Sequence, residues 1–551
     1  MRYVLKLTGT AATIGFCSCE PEEPLIAAEA AAALAQQPTD EYLHKYLLGL
    51  LLGMDPGEVA DLAAALPENA ALGTALAEAA LTRPELAGCA PAAPDVTASP
   101  LVDLRQERLA DMPEHRAWSR LFAANLLGHT PLPEPHGELP ALPYSREDIV
   151  ASRLGFVSVP QALALSLPKV KAERATTPAD ASRRAETALR VAGVEMSPQM
   201  RHQMSLAPVG LVRQWRMHIA VDSGVLHYEL KGEQSSFGRG LDFEPAQAAL
   251  LMEMCERFCS WATIGPEGAV GYARPLPLTV AKFSELPPGQ ALDPAALPLE
   301  VPYDDAPLHW VPAARPDGSR ILVPAQFVFL FANLDEAALC SGLGSTGLGA
   351  GLCVERARVT ALLEVIERDA ESVAPYTPSR CFRIESGQKK MSRQLAEYAK
   401  RGLDVFFEDI TSELGVPCYR AFAVGPEGQV MKGASAGLNG QKACLSAMFE
   451  VPYPYPWGPP TLPGPQGLPV RLLEELPDYS TGSFAADLVL LEAALTASGR
   501  PPVYVDLTRA DMGIPVCRAL VPGLELMADF DRHSRLSPRL FARWMEDAGV
   551  L

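Results

Sequence analysis

The sequence predicts an α/β or α+β fold with a mainly helical N-terminal domain, and three observations lead there. Apolar runs of strand length alternate with long helical stretches beyond residue 165. Two segments in that region nearly repeat each other, which implies internal pseudo-symmetry. The first 165 residues have another texture, rich in Ala, Leu and Glu with helical spacing. At 551 residues the chain holds more than one domain, or one large core with an extension. We divide it into a helical domain, residues 1–165, and a mixed domain, residues 166–551.

Taken in order, Tyr3, Leu5 and Leu7 alternate as a short initial strand. The same stretch makes a poor secretory signal. Its middle is broken by Thr8, Gly9, Thr10 and Thr13, and no good cleavage site precedes Cys17. Helices follow in PLIAAEAAAALAQQ and ADLAAALPENAALGTALAEAAL, punctuated by Pro56, Gly57, Pro67 and Pro84. Ala90 to Pro100 reads as a linker, Arg105 to Leu127 as a helix, and Pro131 to Pro143 as a second linker. This domain suits interaction or substrate delivery, or a stabilising cap on the larger one. Within the larger domain, Arg320 to Leu334, Asp404 to Ile410 and Pro501 to Leu507 read as strands. VPYPYPWGPPTLPGPQGLP, from Val451 to Pro469, reads as a polyproline segment or ordered loop: a lid, a peptide-binding edge or a surface excursion.

Composition excludes some partners. A net charge of −19 and a pI near 5.0 oppose binding to nucleic acid or to an anionic membrane surface. No apolar stretch approaches the roughly 20 residues of a membrane span, and Tyr46 to Met54 is far too short. The eleven cysteines are scattered without a Cys-x-x-Cys pair, which fits free thiols in a reducing cytoplasm. Neither Cys17/Cys19 nor Cys255/Cys259 has partners at metal spacing, so structural zinc is not expected.

The near-repeat carries the chemistry. SFGRGLDFEPAQAALLMEMCERF runs from Ser236 to Phe258, and STGLGAGLCVERARVTALLEVIERDA from Ser345 to Ala370. Each passes from a Ser/Gly-rich loop into an apolar helix bearing Glu-x-x-Glu-Arg. The pairs are Glu253/Glu256 and Glu364/Glu367, offset by 364 − 253 = 111 positions. Glutamates spaced i, i+3 share one helix face. One such pair alone usually marks a solvated face, but these helices are too apolar for the surface. A glutamate buried there needs a metal ion, an arginine or a shifted pKa. Four acids with glycine loops at the helix starts suggest a site for hard cations and phosphates.

These motifs resemble the YcaO family, over roughly residues 170 to 551. Ser345 to Ala370 is similar to the family's S-N-G-L-A-x-G … L-L-E-x-I-E-R-D-A. GRG with MEMCER resembles its G-K-G … E-x-x-E-R, and Tyr504 to Glu525 its strand-turn-strand ending V-x-R-x-x-x-P-G-L-E. Gly433 to Glu450 resembles a further helix of the family. The resemblance implies an α+β YcaO-like fold in which residues 166–551 bind ATP and Mg²⁺ between the two pseudo-symmetric helices. It implies that Glu253, Glu256, Glu364 and Glu367 hold Mg²⁺, and that Arg368 and Arg518 contact phosphate. Arg239 stands where relatives have lysine, and Ser345 opens the second loop. No catalytic residue is assigned.

Some positions depart from the family. Thr346 replaces an asparagine, Leu352 an Asn or Thr, and Arg356 a glutamate, with Glu355 beside it. Glu244 is followed by Pro245 in the first repeat, and Ala179 stands where a lysine occurs. The Pro-x-Pro-x-Pro tail of azoline-forming relatives is absent from the ending EDAGVL. The resemblance implies an ATP-dependent enzyme that O-phosphorylates a backbone amide of a peptide or protein, giving an azoline, thioamide or amidine. A separate substrate-presenting or sulfur-donating protein fits this reading, as does a homodimer. Two alternatives are a nucleotide-binding accessory factor for ribosomal-protein or sulfur-linked modification, and a peptide-binding module with a degenerate ATP site.

Overall fold

The computed structural model describes residues 1–8, 16–135, 137–174, 176–342, 344–526 and 530–551. Gly9, Thr10 and Thr13, which break the apolar start, lie outside the described residues. The described strands form three sheets, each with a helix laid across it. The first is organised by a long antiparallel hairpin, Val209–Ser223 with Leu226–Gly240. Arg2–Thr8 joins this hairpin in parallel and carries Phe16–Pro21 at the edge. The second runs Arg320–Pro324, Leu308–Ala314, Val503–Asp506, Val516–Leu520, Leu348–Ala350. The third runs Val430–Ala436, Cys418–Val424, Phe406–Asp409, Cys381–Glu385, Val470–Leu472.

The N-terminal helices Ala27–Leu34, Glu41–Gly53, Pro56–Ala65 and Ala70–Thr82 pack into the same core as the first two sheets. Leu43, Leu47 and Leu76 share one buried cluster with Trp215, Trp310 and Leu362. Asp40, fully buried, fastens this region to the sheets. It accepts hydrogen bonds from Tyr3 Oη (2.5 Å) and Asn333 Nδ2 (2.9 Å). A smaller cluster joins the Met112–Gly128 helix to the C-terminal helix Pro538–Asp547 through Trp118 and Trp544, whose rings lie 4.8 Å apart.

Three expectations need correction. The apolar run from Arg320 is a strand only to Pro324, whose ring has no N–H for the ladder. Ala325–Phe327 then forms a 3₁₀ turn, and Val328 to Leu330 are buried in irregular chain. Ala90 to Pro100 is a bound segment rather than a free linker. Ser99 Oγ donates to Glu78 at 2.5 Å, and Pro100 O accepts from Ala338 N at 2.9 Å. Ser236–Gly240 is the end of a strand, not a loop, and Leu348–Ala350 is likewise a strand.

Those strand glycines are there for packing. A Cβ on Gly238 would lie 2.0 Å from Ala246 O and 2.6 Å from Leu250 N. A Cβ on Gly349 would lie 2.3 Å from Ala357 O and 2.5 Å from Ala361 N. Both glycines thus meet the backbone 8 and 12 positions onward, so the 111-residue offset joins equivalent strand–helix contacts. The third sheet uses the same device: a Cβ on Gly433 would lie 2.4 Å from Ala447 O in the Gly440–Glu450 helix. Gly349→Ala is therefore expected to destabilise by about 3 kcal/mol through overpacking against backbone that has no rotamer to yield. Gly387→Ala, with no atom within 4 Å of the new Cβ, is the control that leaves the melting temperature nearly unchanged.

Candidate functional site

The first Glu-x-x-Glu-Arg motif lies on Phe243–Ser260 and the second on Val354–Ser372. Both helices pack against Leu348–Ala350 and Val516–Leu520, which brings their acidic faces toward each other. Each sheet reaches the cluster. Phe237 N, from the first, donates to Glu253 Oε2 at 3.2 Å. Arg518, from the second, is 1% exposed and lies in the field of Glu364 and Glu256, one acid from each helix. Ala436 N, from the third, donates to Glu367 Oε2 at 3.1 Å. Ser345 Oγ donates to Glu364 Oε1 at 3.3 Å.

Electrostatics link all eight residues singled out from the sequence. Arg239 and Glu256 act on Glu253, and Glu256 acts on Glu364. Glu364 in turn couples to Glu367, Arg368 and Arg518 and bonds Ser345. Burial raises Glu253 to about 7, with Glu256 adding to the rise and Arg257 and Arg239 opposing it. Burial and the neighbouring Glu256 push Glu364 to about 8 against Arg257 and Arg368. Burial, with Glu371 and Glu450, pushes Glu367 to about 7 against Arg368. Glu256 is also raised by burial, against Arg257 and Arg518. Burial, reinforced by Arg257, lowers Arg518 to about 10. Burial is the largest cause of each of these shifts, and repulsion between neighbouring carboxylates adds to it at Glu253, Glu364 and Glu367.

Arginines already occupy part of it. Arg257 Nη1 donates to Glu256 at 2.6 Å, and Arg368 donates to Glu367 and to Glu371, the latter at 2.5 Å. Arg518 gives both terminal nitrogens to Gly344 O at 3.1 Å, and its Nε has no partner among the described residues. Arg239 Nη1 bridges both carboxylate oxygens of Glu450 at 2.6 Å. Among the described residues no three acids, histidines or cysteines are gathered at the spacing of a metal site. The four glutamates meet as an electrostatic cluster and do not form a closed cage.

Sequence reasoning missed several partners. Glu371 is lowered to about 2: burial alone would raise it, but Lys432, Arg368 and Arg420 outweigh burial. Lys432 Nζ lies 3.3 Å from Glu371. Arg420, fully buried, pairs with Glu408 at 2.9 Å and donates to the carbonyls of Glu371 and Ala374, covering the C-terminal end of the second site helix. Arg539 donates to both oxygens of the buried Asp369, beside Arg368. Glu371 is within reach of a reading that extends the motif by one helical turn. The others depend on distant elements.

The departing positions serve packing. Leu352 packs against the main core, Thr346 is buried, and Arg356 lies 5.1 Å over the Phe484 ring. Ala179 and Glu244 line a groove between Pro178–Val191 and the start of the first site helix, apart from the acidic cluster.

The sequence profile of YcaO cyclodehydratases, described as ATP- and Mg²⁺-binding, matches residues 237–452 and 458–525, just over half of the chain. The chain belongs to the YcaO family. Both acidic helices, Arg239 and Arg518 fall inside the matched blocks, and the match breaks only over Tyr453 to Trp457, between Pro452 and Gly458. An uncharacterised protein of Methanothermobacter thermautotrophicus is 29% identical over 331 residues, covering 53% of this chain and 82% of that protein. Among solved structures, a heterocyclase in complex with substrate and cofactor superposes with a TM-score of 0.51 at 16% identity, over 72% of this chain. This chain spans 58% of that heterocyclase, so the likeness shows the shared fold. YcaO from Methanopyrus kandleri, bound with AMPPCP and Mg²⁺, gives a TM-score of 0.46 at 22% identity, over 65% of this chain and 93% of that one. By the family match, ATP and Mg²⁺ are the cofactors to set against the acidic cluster.

The donor set suits them. Carboxylates are hard oxygen ligands, and a dication relieves the repulsion that helps to raise Glu253, Glu364 and Glu367. Arginine forks beside them match phosphate oxygens.

Proposed function

We propose that this YcaO protein is an ATP- and Mg²⁺-dependent enzyme that activates a backbone amide of a peptide or protein by O-phosphorylation. The observation carrying this reading is the meeting of Glu256 and Glu364, one from each motif helix, beside the buried Arg518. On this reading Glu253, Glu256, Glu364 and Glu367 hold Mg²⁺, which when bound neutralises charge on the nucleotide phosphates. Arg518 is the phosphate clamp, because its burial strengthens its field and its position is fixed by Gly344. Arg368, already aligned by Glu371, is a second phosphate contact, and Arg239 a third at the rim. Ser345 orients Glu364 through its hydroxyl. The nucleophile decides whether an azoline, thioamide or amidine forms, and no residue here is assigned to supply it.

The heterocyclase solved in complex with substrate and cofactor shares this fold, which supports an enzyme that takes a substrate and a cofactor together. On the same reading a separate protein presents the substrate, and residues 1–165 are the part of this chain that meets it. A second reading, a nucleotide-binding accessory factor, is favoured by the packing roles of Leu352 and Arg356 at positions where relatives carry polar or acidic residues. Phosphate release from Mg·ATP in the presence of candidate peptides decides between them. Peptide-dependent turnover supports the enzyme; nucleotide binding without turnover supports the accessory factor.

A pH dependence follows. Cation binding favours ionised carboxylates, and Glu253, Glu364 and Glu367 ionise only near pH 7 to 8. Mg·ATP affinity is therefore expected to rise from about pH 6 to about pH 8.5, by up to about tenfold per pH unit for each proton displaced. Calorimetry in buffers of different ionisation heat will register the released protons. A flat profile would contradict the assignment of these acids.

A further inference from the structure

The proline-rich stretch after Glu450 holds one of its three aromatic side chains out to solvent, while Tyr453 and Tyr455 are buried. Trp457 is 84% exposed, whereas the other five tryptophans are at most 3% exposed. The segment around it is braced by two other parts of the chain. Arg201 Nη2 donates to Tyr455 O at 3.5 Å, and Leu206 N to Val451 O at 3.1 Å. From a second segment Arg401 Nη1 donates to Pro456 O at 2.9 Å, and Thr461 N donates to Gly402 O at 3.0 Å. Tyr455 is held edge-on to Tyr398 at 5.1 Å. An indole left in water on a braced segment marks a contact surface.

Its surroundings indicate what it contacts. Met200 and Met204, 50% and 41% exposed, lie on the flanking segment that braces the loop. Arg201 and Arg401, both exposed, bond the segment's carbonyls, and the exposed Lys400 precedes Arg401 in the chain. The nearby acids Glu397 and Asp404 are paired with Arg401 at 2.9 Å and with Arg383 at 2.7 Å. On a chain of net charge −19 this is a local basic surface with an apolar centre. It is also continuous with the acidic cluster. Glu450, just before the segment, holds Arg239. His202, between the two methionines, lies 4.7 Å from the Phe237 ring, and Phe237 N holds Glu253. The break in the family match falls on Tyr453 to Trp457, so the indole lies outside the matched frame of the family.

We propose that this surface docks an acidic, extended segment of the peptide substrate. An apolar side chain of that segment sits against Trp457, Met200 and Met204, and its carboxylates face Arg201 and Lys400. The proposal names a substrate class for the reading above and rests on it.

The test uses the full-length protein and a synthetic peptide of about 20 residues, rich in Asp and Glu with a central Phe. Quenching by acrylamide reports Trp457, because the other tryptophans are buried. The peptide is expected to protect Trp457, and its Gln/Asn counterpart to bind at least about tenfold more weakly. Trp457→Ala and Lys400→Glu, followed with a labelled peptide, are each expected to weaken binding by about tenfold, with Mg·ATP affinity unchanged within about twofold. Equal binding of the acidic peptide to wild type and Trp457→Ala would overturn the proposal. So would equal binding of the neutral peptide, or equally tight binding of a single-stranded oligonucleotide, which would make the surface a general anion site. Peptide protection in a protein that fails to bind Mg·ATP would support this surface and overturn the catalytic reading instead.

Discussion

Changing Glu364 and Glu367 together to glutamine is expected to lower Mg·ATP affinity by about a hundredfold or more, since cation sites are tuned by ligand charge. The same change is expected to make the protein, measured without Mg·ATP, at least as stable as wild type above about pH 7. Glutamine keeps an acceptor for Ser345 Oγ at position 364 and for Ala436 N at position 367, so local geometry is preserved. What is removed is charge that the fold holds unfavourably. Burial and Glu256 push Glu364 to about 8; burial and Glu371 push Glu367 to about 7 despite Arg368. A carboxyl whose folded pKa exceeds its unfolded value binds more protons when folded. Its stabilising contribution is present at low pH and is lost as pH rises through about 7 to 8. Wild type should therefore melt lower at about pH 8.5 than at about pH 6, and the double variant should show a smaller drop. Arg368 is not orphaned, because Glu371 remains its partner. Melting curves at the two pH values, with Mg·ATP titrations alongside, measure both effects. Unchanged affinity, or a variant less stable than wild type at the higher pH, would refute the role given to these acids. The pairing of weaker function with greater stability is what an active site built from strained charge should show.

How much of the fold and site is legible in the sequence depends on how local the cause is. The 111-residue offset is visible because both motifs lie within single helices, and the apolar residues between the glutamates point to the burial of Glu256 and the half-burial of Glu253, Glu364 and Glu367. The short strands at Tyr3, Phe406 and Val503 are visible from alternation and β-branched or aromatic content. The glycines mislead. A Ser/Gly run reads as a loop, yet Gly238 and Gly349 are strand residues whose missing Cβ admits a helix backbone. That requirement belongs to the partner helix, and no local propensity records it. The apolar run after Pro324 misleads for a related reason: its residues are buried by surrounding elements while their backbone follows no ladder. The ion pairs beneath the site are least legible. Arg420 answers Glu408 across a strand pair, and Arg539 answers Asp369 from 170 positions away, so only the assembled fold shows them.

That distant pair carries the second large effect. Arg539→Met is expected to destabilise the protein by about 3–5 kcal/mol, the range for a buried charge stripped of its partner. Asp369 is fully buried and Arg539 is 4% exposed. Asp369 also accepts from Glu525 N at 2.9 Å, so the unpaired carboxylate would sit where the Pro-Gly-Leu-Glu segment meets the second site helix. Glu525, itself raised by burial, adds repulsion once Arg539 is gone. Methionine retains apolar volume beside Phe156, over whose ring the guanidinium lies at 5.2 Å, so the loss measures charge more than packing. Glu413 keeps Arg153 at 2.8 Å and is not left alone. The decisive comparison is the double variant Arg539→Met with Asp369→Asn. Asparagine still accepts from Glu525 N but carries no charge, so most of the lost stability should return in a thermal or urea melt. Because Asp369 follows Arg368 on the same helix, Mg·ATP affinity should fall in the single variant and recover in the double. If the single variant melts within about a degree of wild type, the buried pair is not what holds the helix end. If the double melts lower than the single, packing of the guanidinium outweighs its charge.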